Sequence, residues 1–128
     1  MQQNAAQTAE YYRRQQILTA TPEQLTLMLY NGALKFINEG TKAMKEKNYE
    51  ESNKKFIRVQ NILSELQATL KMEYEISENL NALYDYSKRC LVDGNINDDL
   101  EKIEEVKEII TEIRNAWHEA MKIAKKAR

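Results

Sequence analysis

From residue 21 onward, apolar positions recur by threes and fours in four blocks, and this spacing predicts four amphipathic helices. The first block opens at Thr21-Pro22-Glu23-Gln24. Thr21 can cap with its hydroxyl, Pro22 stands where a missing N–H costs nothing, and Gln24 completes a capping box. This helix is expected to run to about Lys47. Asn48, with Glu51 three residues on, opens a second helix to about Met72, carrying Phe56, Val59, Leu63, Leu66 and Leu70 on one face. Ser77 is the expected cap of a third helix with Leu80, Leu83, Tyr84 and Leu91, stopped by Gly94 in a left-handed turn. Asp98 with Glu101 opens the fourth, whose stripe is Ile103, Val106, Ile110, Ile113, Trp117, Ala120, Met121 and Ala124. Short connections between long helices favour antiparallel neighbours. The expected fold is all-α: an antiparallel up-down-up-down four-helix bundle over residues 21–128 with an N-terminal docking segment.

Residues 1–20 read as a mobile leader and cap segment. Met1 to about Ala9 are small and polar without periodicity, and Tyr11 to Leu18, two tyrosines, two arginines and two glutamines before Ile17 and Leu18, are too short for a stable helix alone. That stretch is expected to dock on the bundle.

The helix wheels are unequal. The fourth helix confines its apolar side chains to an arc of about 160°, all that a bundle helix needs. The first spreads Leu25, Leu27, Met28, Leu29, Tyr30, Leu34, Phe36 and Ile37 over roughly 260°, more than three neighbours can cover. The surplus at Leu27, Met28, Leu34 and Ile37 is a candidate interaction surface. Its cover is the Tyr11–Leu18 segment, a second copy of the chain or a client protein. Burial of all four by the domain's own helices would remove the basis for such a surface. Among seven tyrosines, Tyr49 and Tyr84 suit structural roles, whereas Tyr12, Tyr30 and Tyr86 suit an interface, where a phenol contributes area at little entropic cost.

Composition narrows the function. Nineteen basic against twenty acidic residues leave a net charge of −1, without the basic excess that marks most nucleic-acid partners. No apolar run approaches the roughly 18 residues of a membrane span, so neither membrane insertion nor export is expected, and the cytoplasm is the expected compartment. The lone Cys90 falls among apolar neighbours and reads as a buried, inert thiol. Metal sites in such bundles use Glu-x-x-His pairs, which this chain lacks, and its three glycines are too scattered for a phosphate loop. No enzyme, cofactor or metal is expected. The one alternative of a different class is a phosphotransfer or regulatory bundle acting through His118, read as an exposed residue on the polar side of the last helix.

The stretch Tyr12 to Asn31, Y-R-R-Q-Q-I-L-T-A-T-P-E-Q-L-T-L-M-L-Y-N, resembles the opening of the flagellar secretion chaperones of the FliS family. So, in register, do Gln60 to Leu66, Leu83-Tyr84-Asp85-Tyr86 with Asn95 to Asp98, and Arg114-Asn115-Ala116-Trp117. The resemblance implies a cytoplasmic helical bundle that binds the C-terminal helical segment of flagellin along hydrophobic grooves. It implies that the chaperone prevents premature polymerisation and delivers the client to a flagellar export gate component of the type III apparatus. It also implies an N-terminal segment able to lie over part of that surface. Carried over by position, the partner-binding candidates are Tyr12, Ile17, Leu18, Leu27, Met28, Tyr30 and Tyr86. A homodimer through the same surface is a further possibility.

Overall fold

A computed structural model describes residues 3–127. Its helices are α1 (Gln3–Thr19), α2 (Pro22–Lys45), α3 (Tyr49–Ala68), α4 (Glu75–Ile96) and α5 (Leu100–Lys126), and no strand occurs among the described residues. Helices α2 to α5 form a closed ring in which each packs on the next and α5 returns to α2. Cross-helix bonds give the directions. Lys55 early in α3 pairs with Glu39 late in α2, Gln67 late in α3 bonds Asn81 early in α4, and Trp117 late in α5 bonds Glu23 at the start of α2. Neighbours are therefore antiparallel, as the short connections predict.

Most of the expected stripe positions form the core: Phe56, Val59, Leu63, Leu91, Ile103 and Val106 are wholly buried, and so is Ile37, which was expected to lie on the surplus surface. Each burial contributes about 1.5–3 kcal/mol before entropic costs. Two glycines let helices approach. A methyl group at Gly40 would stand 2.6 Å from the Phe56 ring, and one at Gly94 would stand 2.8 Å from Ile103. Cys90 is buried in this core, as expected.

The caps of α2 and α3 are those the sequence predicts: Thr21 with Gln24 in a complete capping box, and Asn48 accepting from the Glu51 amide. Other boundaries differ. Helix α4 begins at Glu75, and Ser77, rather than capping, is buried with its hydroxyl donating to the Lys71 carbonyl at 2.7 Å. Gly94 does not end α4, which continues to Ile96; it is helical, and its missing side chain admits Ile103. Asp99 caps α5 in place of Asp98, which takes a positive φ of 53° in the turn.

The largest difference is α1. Residues expected to lack regular structure form a continuous helix, because Ala, Gln, Glu and Arg are good helix formers and Glu10 pairs with Arg14 one turn on. Periodicity reports a buried face, and α1 has none: residues 4–19 are all exposed. In this structure the segment stands clear of the bundle instead of docking on it.

Candidate partner-binding site

At the end of the bundle where α2 and α4 begin, the helices leave apolar surface open. The capping box fixes the first turn of α2: Gln24 N–H donates to the Thr21 hydroxyl at 3.2 Å, and Thr21 N–H donates to Gln24 Oε1 at 2.9 Å. Leu25 and Leu29, four residues apart, then share one face. Across from them α3 stops at Ala68, and residues 69–74 form a connection held to α4 by the Ser77 bond. The gap is a groove of about 570 Å³. Leu25, Leu29, Leu70, Ile76, Leu80 and Trp117 form its walls, and Tyr30 and Tyr84 line it from the core.

The walls are only partly covered. Leu29, Leu70, Leu80 and Trp117 are half-buried, Leu25 is 38% exposed and Ile76 is 64% exposed. Trp117 is fixed by its Nε1–H, which donates to the Glu23 carbonyl at 3.0 Å. The hydroxyls of Tyr30 and Tyr84 meet at 2.6 Å. Burial raises both phenols above the ordinary tyrosine range. For Tyr84 the mutual hydrogen bond adds to the rise, and for Tyr30 it opposes it. An apolar groove edged by Glu23, Glu65 and Lys71 suits the apolar face of an amphipathic helix.

A second concavity, of about 540 Å³, lies between the end of α1, α2 and α5. Leu27, Met28 and Met121 give it an apolar wall, with Lys122 and Lys125 at its edge. His118 lines it too, half-buried and not exposed as expected, because the end of α5 passes alongside the first turns of α2. Its Nδ1 is buried without a hydrogen-bond partner, and no acid lines the cavity to orient the ring for phosphoryl transfer. Among the described residues no group of acids, histidines and cysteines is arranged to hold a metal ion.

The sequence-derived candidates fall on separate surfaces. Tyr12, Ile17 and Leu18 are exposed on α1. Leu27 and Met28 are half-buried in the second concavity, while Ile37, counted with them as surplus, is wholly buried in the core. Tyr30, placed by its wheel at an interface edge, is only 3% exposed, because Tyr84 of α4 packs against it beneath the groove. Tyr86 lies on the opposite side of α4, where its hydroxyl donates to Glu105 at 2.6 Å; that bond first, and Cys90 second, hold its phenol well above the usual range. The groove walls themselves were read as core stripe. Nor is the stripe of α5 used up as its wheel suggested: Ala120 and Ala124 are exposed and Met121 is half-buried. One sequence signal did point to the groove: Met72, Tyr74 and Ile76, large apolar residues around a helix connection, are all exposed.

Comparison with known proteins gives the family of the chain. The family model for flagellar protein FliS matches residues 3–124. The chain is 42% identical over 117 residues to the flagellar secretion chaperone FliS of Bacillus subtilis, covering 91% of this chain and 88% of that one. It is 31% identical over 104 residues to the protein of the same name in Vibrio cholerae, covering 80% and 76%. With that of Escherichia coli it shares 30% identity over 108 residues, covering 82% and 79%.

Proposed function

This chain belongs to the FliS family of flagellar secretion chaperones, and from that membership we propose that it binds the C-terminal helical segment of flagellin, keeps it from polymerising early and hands it to the export gate. The observation that carries this reading is the open apolar groove between α2, α3, α4 and Trp117. A segment that is disordered when free can fold into such a channel with its apolar face inward, and it leaves again when the competing assembly site takes it. Binding of this kind needs no bond-making chemistry, and the protein acts without a catalytic site. Among the described residues no helix is long and apolar enough to cross a membrane.

The N-terminal helix fits the part of a lid. Tyr12, Ile17 and Leu18 are exposed on α1, which joins α2 through Ala20 and Thr21 beside both concavities. A change of backbone angles at that junction would lay its apolar side chains over Leu27 and Met28 or over the groove. Tyr30 then serves as floor, and Tyr86 as an outlying contact for a client that wraps around the bundle.

Titration of the full chain with a peptide of the flagellin C-terminal segment tests the reading. A one-to-one complex with a gain of helical circular dichroism is expected, and a peptide that remains free and disordered at tens of micromolar (about −6 kcal/mol) rejects it. Removing residues 1–19 should tighten binding if α1 competes for the surface. A homodimer through the groove would show as a concentration-dependent dimer that the peptide disperses.

A further inference from the structure

The floor of the groove is not wholly apolar. Tyr30 and Tyr84, 3% and 1% exposed, bring their hydroxyls to 2.6 Å from each other beneath the leucine walls. Two hydroxyls carry two hydrogens, and their mutual bond uses one of them, whichever oxygen donates. No other hydrogen bond is made by either hydroxyl among the described residues. One O–H is therefore left to donate, on side chains that line the groove and are sealed on every other side by core.

We infer that this tyrosine pair reads one hydrogen-bond acceptor on the segment seated in the groove, and that the acceptor is a neutral side chain: the amide of Asn or Gln, or the hydroxyl of Ser or Thr. The inference rests on the groove being the client site and specifies what the client must present there. A main-chain carbonyl within a helical client already accepts from its own helix and is screened by the side chains that face the groove, so a side-chain acceptor reaches the pair first. A carboxylate is excluded by its surroundings, since Glu23 and Glu65 line the same groove against Lys71, and one O–H is too little to hold a desolvated charge. A fully apolar client would bury the donor unsatisfied, so the pair discriminates between otherwise similar amphipathic helices.

The experiment is a coupling measurement between the full chain and the flagellin C-terminal peptide. Each Asn, Gln, Ser and Thr of the peptide is replaced in turn by Leu, Met, Ala and Val respectively, and binding is measured by calorimetry to wild type and to Tyr30→Phe/Tyr84→Phe. One replacement should weaken binding to wild type by about tenfold and leave binding to the double variant unchanged, the double variant itself binding the parent peptide about tenfold more weakly. Either single Tyr→Phe variant keeps one O–H and should bind the parent peptide more tightly than the double variant, so that most of the loss appears only when both hydroxyls are gone, a non-additivity that two independent packing effects would not produce. Thermal melts of the free variants confirm that they are folded. If every replacement costs the same on both chains, or if the double variant binds like wild type, the inference fails while the chaperone reading stands. If wild type does not bind the parent peptide at all, the chaperone reading fails and takes this inference with it.

Discussion

The two ends of the bundle are built differently. At the end where α2 meets α3 and α4 meets α5, the connections are short and capped by Asn48 and Asp99. Gly40 and Gly94 draw the helices together over Phe56 and Ile103, and the Tyr49 hydroxyl donates across to Asp98 at 3.3 Å. The core stripe there is covered: Met44, Phe56, Leu91 and Ile103 are buried. At the other end the connection of residues 69–74 is longer, α5 continues past the start of α2, and leucines of the same helical stripes stay half-covered. One stripe thus stabilises the fold where neighbours close over it, and where they diverge it stays open as the surface proposed for the client. On that proposal the client completes a core that the chain leaves unfinished.

Substitution at the two ends should separate stability from binding. Phe56→Ala removes a wholly buried ring at the sealed end and should cost about 3–5 kcal/mol in urea unfolding. Its counterpart at the open end, Leu25→Ala, should cost less than about 1 kcal/mol in stability while weakening peptide binding by about tenfold. A loss of stability at Leu25 equal to that at Phe56 would erase the distinction between the ends. Gly40→Ala sharpens it. Overpacking against the Phe56 ring should cost about 1–3 kcal/mol. The better helix propensity of alanine returns about 1 kcal/mol, so a net destabilisation near 1 kcal/mol is expected, with peptide affinity unchanged.

Thr21→Ala removes the cap that sets the first turn of α2, and should cost about 1 kcal/mol. Because Leu25 and Trp117 take their positions from that turn, it should also weaken binding, an effect no cap at the sealed end shares; Asn48→Ala is the control. The smallest effect is on pH dependence. The folded state raises the phenols of Tyr30 and Tyr84, so it holds their protons where the unfolded chain releases them, near pH 10. Stability from this source is complete below that pH and declines above it as the unfolded state comes to bind fewer protons. The fall in the urea midpoint between pH 8.5 and about pH 10.5 should be shallower in Tyr84→Phe than in wild type.

Local chemistry determined much of this molecule from sequence. The capping box at Thr21, the Asn48 cap and the core positions of α3 and the first half of α5 follow from side-chain oxygens and three-four spacing, which need no neighbours to be read. The breadth of the apolar arc on α2 was legible for the same reason. Where that surface opens was not. Leu25 and Leu29 share a stripe with Phe36, and a stripe carries no mark of where the helices facing it end. Tyr30 pointed off the stripe on its wheel, yet it is buried because α4 brings Tyr84 to meet it from a residue 54 positions away. Gly94 looked like a stop until Ile103 occupied the space it leaves. Spacing along one helix records which face is apolar; only the packing of four helices decides which part of that face is covered, and the uncovered part is the groove.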